Sequence, residues 1–306
     1  MTGEPSDPPV YLVAGGTRVD AGKTTFSAGL VAHLAERAGD AVGVKPRAGN
    51  DYWFDHDDYL VATDSGRLYG KDARTLAAAN TRTLAAVDES SPSPSPSAVT
   101  PESINPVHRL WRPTPGRTGM LGDADRTFLC DRVTTASGAR FVVNSAAEDA
   151  GLLPDDLVER LPLADATRVR DVPAFNEMMA EAHLPAIERL AARVARTPVP
   201  VVVESYADVA GTLPRDGPVA PDAVAVVDPG RARIYAGDRY AKARAVAAGS
   251  PREGSREEHV DAVTEMIEPL ATVLLPALSG DVRGDPDRVA TRYESAYETL
   301  VGAVEN

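Results

Sequence analysis

The chain has 306 residues, 43% hydrophobic and 25% charged. At ~100–200 residues per domain this allows one large α/β domain or two small ones, and it rules out collagen, a coiled coil or wholesale disorder. The net charge of −13 argues against a nucleic-acid binder working through a broad basic surface, and no apolar run reaches the ~18 residues needed to span a bilayer.

Residues 1–9 are polar and Pro-rich, with no basic n-region and no apolar h-region. They read as a flexible arm without a secretory signal, and the chain as a soluble cytoplasmic protein. Val10–Ala14 is a short β-rich run ending in Gly15-Gly16. From Thr24 to Arg37, Phe26, Leu30 and Leu34 fall on one helical stripe. Gly39-Asp40 stops it, and Ala41–Lys45 reads as a second strand. Strand, glycine loop, helix and strand make one βαβ unit, hence a parallel sheet with a right-handed crossover.

Residues 88–101 alternate Ser and Pro and predict a mobile insertion. Arg126–Val133 and Ala139–Asn144 flank Thr134–Gly138 as a hairpin, a second insertion around 114–150. The one cysteine, Cys130, excludes an intrachain disulfide and a Cys-cluster metal site; in an apolar run it reads as a buried small hydrophobe. Residues 173–196 read as helical with a kink or break at Pro185. Strands follow at Pro198–Glu204 and Asp222–Asp228, then a turn at Pro229-Gly230 and a short Arg231–Tyr235. Helical patterns near 238–248, 256–275 and 286–304 close the chain. The expectation is a single α/β domain over 10–306, with a mostly parallel sheet and helices on both faces.

The chemistry-bearing motif is Gly16-Thr17-Arg18-Val19-Asp20-Ala21-Gly22-Lys23-Thr24-Thr25. It follows a strand and opens a helix, as a phosphate loop must. Its glycines let backbone N–H groups close on phosphate oxygens, and the helix N-terminus adds unpaired donors. Lys23 can reach the β- and γ-phosphates and the Thr24 hydroxyl can ligate Mg²⁺. Five residues separate Gly16 from Gly22, one more than the standard form.

That longer loop resembles the Gly-Thr-Asp-Thr-x-x-Gly-Lys-Thr loop of dethiobiotin synthetase and its relatives, which include the cobyrinate amidating synthases. Lys45-Pro46, Ile104-Asn105-Pro106 and Glu204 at the end of a buried strand recur in the family's order. The resemblance touches landmarks from about 10 to 205 and implies a three-layer P-loop NTPase fold. It further implies ATP and Mg²⁺ as cofactors, and a carboxylate or carbamate substrate that attacks the γ-phosphate. Lys23 and Lys45 then act as catalytic cations, Glu204 associates with magnesium, and the protein is a homodimer. An Asp past Lys-Pro also approaches the metal. Asp51, Asp55, Asp57 and Asp58 compete for that role, and position favours Asp57 or Asp58.

Three departures fall on substrate-facing segments: Arg18 in place of the loop Asp, Arg47 after Lys45-Pro46, and Glu204-Ser-Tyr-Ala-Asp208 in place of Glu-Gly-Ala-Gly-Gly. They imply shared nucleotide chemistry with a different acceptor. Asn105, His108 and Arg109 form a polar segment suited to an anionic small molecule, with Arg109 as a carboxylate fork. GTP stays open beside ATP, because no clear Asn-Lys-x-Asp base reader occurs. A partitioning-type ATPase switch is the main alternative, disfavoured by the lack of an early lysine in Gly15-Gly16-Thr17-Arg18; a nucleotide-binding module without turnover is another. The chain has four lysines against 28 arginines, and with its excess acid it resembles proteins of salt-accumulating archaea.

Overall fold

A computed structural model describes residues 7–17, 21–85, 99–247 and 258–304. The strands are β1 (Val10–Gly15), β2 (Val42–Val44), β3 (Arg47–Asp51), β4 (Val107–Thr118), β5 (Ala124–Thr135), β6 (Gly138–Asn144), β7 (Thr167–Val169), β8 (Val201–Glu204), β9 (Ala223–Asp228), β10 (Arg231–Ala236) and β11 (Ala271–Leu274). The helices are α1 (Lys23–Ala38), α2 (His56–Thr63), α3 (Lys71–Ala79), α4 (Pro101–Ile104), α5 (Ser145–Asp149), α6 (Asp155–Arg160), α7 (Val172–Met178), α8 (Leu184–Ala195), α9 (Gly237–Ala247), α10 (Val260–Thr264), α11 (Gly280–Arg283), α12 (Pro286–Arg292) and α13 (Glu294–Gly302). The fold is α/β with two mixed sheets.

Two compact units share the chain where the sequence predicts one domain. Unit 1 comprises residues 1–46, 75–99 and 191–306, and unit 2 comprises 47–74 and 100–190. One boundary, between Val99 and Thr100, falls within the Ser-Pro stretch, of which 88–98 lie outside the described residues, as do 1–6 of the arm. Strands β4–β7 after that stretch join β3 in a second sheet, whereas β8–β11 return to the first.

Unit 1 holds a six-stranded sheet in the order β11-β10-β9-β1-β8-β2. The four strands β9, β1, β8 and β2 run parallel, and β10 and β11 add antiparallel. The expected βαβ unit is present, but β8 lies between β1 and β2. Strands β8 and β9 are buried at every residue, which is why they read as unbroken apolar runs: a parallel strand is covered on both faces. Register places Tyr11, Val202 and Gly43 on one face, and Leu12, Val203 and Val44 on the other. A Cβ on Gly43 would meet Val31 of α1, so α1 covers the first face. Tyr240 of α9 packs with Leu12 and Val203 on the second.

Unit 2 holds a five-stranded sheet in the order β3-β4-β5-β6-β7. Its core includes Tyr59, Leu68, Leu110, Leu129, Val143 and Leu157. The predicted hairpin is the β5–β6 pair, Thr135 opposite Gly138, and it forms the middle of this sheet rather than an insertion in another.

Two helical readings are corrected. Between α7 and α8 the break is a π-helical segment, Met179–His183, that precedes Pro185. Proline lacks the N–H that would continue a regular ladder, and the wider turn takes up the mismatch. Within 256–275 only Val260–Thr264 is helical among the described residues, and Ala271–Leu274 pairs with β10 as a strand. In the closing helical stretch, Tyr293 separates α12 from α13.

Candidate functional site

The parallel strands of unit 1 end along one edge of the sheet, where α/β proteins place their ligands. In spatial order the ends are Asp228 of β9, Gly15-Gly16 after β1, Glu204 of β8 and Lys45 after β2. Gly22 begins α1 with φ 82°, a left-handed conformation suited to glycine, and its carbonyl accepts from Phe26 N at 3.0 Å. Gly16 is required for another reason: a Cβ there would collide with Asp228 Oδ1. Asp228 is itself held by Arg231 Nε at 3.0 Å and Arg233 Nε at 3.2 Å.

Four of the sequence-predicted residues meet at this edge. Thr24 Oγ1 donates to Glu204 Oε1 at 2.8 Å. The Lys45 ammonium donates to the same oxygen. Lys45 is 3% exposed and Glu204 fully buried, so each charge depends on the other. Glu204 Oε2 has no hydrogen-bond partner among the described residues. Lys23 Nζ donates to Ala207 O at 2.8 Å and lies against Gly15. Ala207 is one of two non-glycine residues with positive φ among those described, at 47°. The carboxylate that ends β8 and a carbonyl in the loop that follows it therefore hold Lys45 and Lys23.

Of the remaining loop residues, Thr17 is exposed, Thr25 half-buried and Ala21 buried. Arg18, Val19 and Asp20 lie outside the described residues. Asp57 and Asp58 belong to unit 2, in the first turn of α2. Asp58 accepts from Arg74 at 3.1 Å and Asp57 is exposed. Three or more His, Cys, Asp or Glu side chains arranged for a metal ion occur nowhere among the described residues.

The predicted substrate segment, also in unit 2, is committed internally. Arg109 does act as a carboxylate fork, but on the chain's own Asp131, with Nε–Oδ1 2.7 Å and Nη2–Oδ2 2.6 Å. Its guanidinium sits over Trp111, Phe128 and Phe175. His183 Nε2 bonds Asp131 Oδ2 at 2.8 Å. Burial works to raise the Asp131 carboxyl; Arg109 and His183 outweigh it and hold it well below the carboxylate range. Asn105 gives its backbone and side-chain oxygens to Arg132, at 2.8 and 3.0 Å. His108 is fully buried, opposite Arg132. Arg132 is 1% exposed and bonded to neutral acceptors, and burial lowers its pKa to about 10. Burial also pushes the Cys130 thiol up, the opposite of what a nucleophile needs.

Comparison with protein-family models, with curated proteins and with solved structures finds no match. No helix among the described residues is long and apolar enough to cross a membrane.

Proposed function

We propose that unit 1 is a P-loop fold that binds a magnesium-associated purine nucleoside triphosphate at the carboxyl edge of its parallel strands. The chain then passes the γ-phosphate to a small anionic acceptor or to water. One observation carries the reading: Lys23, Thr24, Lys45 and Glu204 meet where β1, β2 and β8 end.

The residues fit a hard cation. Glu204 Oε2 is buried without a partner among the described residues, and the Thr24 hydroxyl bonds the other oxygen of the same carboxylate. Magnesium commonly takes only one or two protein oxygens, with water and phosphates completing its shell, so a larger acidic cluster is not needed. Glu204 and Thr24 would hold the ion, which when bound neutralises charge on the phosphate oxygens. Lys23 exchanges a carbonyl partner for phosphate oxygens with formal charge, a stronger hydrogen bond. Lys45, paired with Glu204, supplies a second cation beside the terminal phosphate. Catalysis of this kind is positioning plus charge neutralisation, and the nucleophile comes from the acceptor.

Calorimetry of the whole chain with Mg²⁺ and a non-hydrolysable ATP analogue tests the reading. Saturable uptake is expected, weakened at least ~10-fold by Lys23→Ala, or about 1.4 kcal/mol. No uptake by folded protein, or equal uptake by the variant, overturns it. Product analysis then separates a metabolite-dependent synthetase from a partner-dependent ATPase switch and from a module that binds without turnover.

A further inference from the structure

On the sheet face opposite α1, unit 1 contains a second concave site. Its floor is Leu12 and Val203, Tyr240 and Arg244 of α9 form a wall, and the loop 211–215 covers it. The cavity measures about 60 Å³, against about 150 Å³ for an apolar cavity that takes benzene. It therefore suits a group smaller than a benzene ring, such as an isopropyl group, with the rest of a ligand at the open rim. Arg244 clamps the cover from inside, donating to Gly211 O at 3.0 Å and to Glu258 at 3.0 Å. The cover thus has a defined position without any contribution from a ligand.

Two features of the lining call for a polar group in this apolar setting. Thr212 is 6% exposed, and its hydroxyl has no hydrogen-bond partner among the described residues. A buried hydroxyl left so is destabilising until something pairs with it. Arg215, on the exposed rim, makes only long ion pairs among the described residues, 3.9 Å to Asp216 and 3.8 Å to Glu258. Its guanidinium geometry matches a carboxylate.

We infer that this cavity binds a short branched aliphatic carboxylate. The alkyl end lies against Leu12, Val203 and Tyr240, and the carboxylate meets the Thr212 hydroxyl and the Arg215 guanidinium. The inference does not rest on the nucleotide reading, because the site is on the other face of the sheet and the assay contains no nucleotide.

The test is calorimetry of the full chain with isobutyrate, with isobutanol and acetate as comparison probes. Isobutyrate is expected to bind saturably and at least tenfold more tightly than either. Thr212→Val, which keeps the shape and removes the hydroxyl, and Arg215→Gln, on the exposed rim, should each weaken binding at least tenfold. Ala241→Leu, which fills the cavity from α9, should abolish it. A site that holds only water gives no saturation with isobutyrate and overturns the proposal. So does isobutyrate binding that Arg215→Gln leaves unchanged, a variant on the surface that does not threaten folding.

Discussion

Asp131 is fully buried between two basic side chains, Arg109 and His183. Removing one member of such a group leaves uncompensated charge, so Asp131→Asn should destabilise unit 2 by about 3–5 kcal/mol, read as a lower urea midpoint. The pH dependence follows from the depressed carboxyl. Its stabilisation is complete above the ordinary carboxylate range and is lost as pH falls through that range and below. Urea midpoints at pH 7 and at about pH 2.5 should therefore diverge in the wild type and diverge less in Asp131→Asn; equal divergence would refute the assignment. At this scale the legible residues were those fixed by a strand end. Lys45 and Glu204 each close an apolar run, and the structure joins them across 159 positions. Arg109 was legible as a fork but not in its partner, because Asp131 lies 22 positions away and His183 a further 52. No local pattern marks either one. Asp228 read as the end of a strand, which it is, but its packing on Gly16 depends on β9 lying beside β1.

Single side chains also fix whole elements. Asn144 ends β6 and caps α5, accepting from Ala146 N at 3.1 Å and Ala147 N at 3.3 Å. Its amide donates to Phe128 O at 2.8 Å, tying the cap to β5. Asn144→Ala should cost about 1–3 kcal/mol through the lost cap and the orphaned carbonyl. Asn144→Asp, which keeps the cap and loses the donor, should fall between the two in urea denaturation; a wild-type midpoint for the alanine variant would refute the role. Elements with continuous apolar runs or clean periodicity, β1, α1, β8 and β9, were readable in the sequence. Strand β11 was not. It is four residues long, half-buried at alternate positions, and is decided by pairing with Arg231–Ile234, which a local window cannot see. The π segment escaped for the same reason: Pro185 announces a disturbance but not the wider turn that absorbs it.

At the scale of the whole molecule, the chain leaves unit 1 after Pro46, returns for residues 75–99 and leaves again until Ala191. Only the crossing at 99–100 carries a composition signal, the end of the Ser-Pro stretch; both units draw on the same apolar residues, so the other crossings are not marked. The central strand β1 has both neighbours, β8 and β9, beyond residue 200. A fragment ending at residue 190 should therefore keep the β3–β7 sheet and lack the six-stranded one. Amide hydrogen exchange would show this as protection in Val107–Asn144 and none in Val10–Gly15; protection of Val10–Gly15 would contradict the topology. The same pairing bears on biosynthesis. At ~5–20 residues per second, the opening strand leaves the ribosome on the order of 10–40 s before its first partner exists. Throughout that interval its apolar side chains, and those of the helix that follows, are candidates for chaperone capture rather than folding.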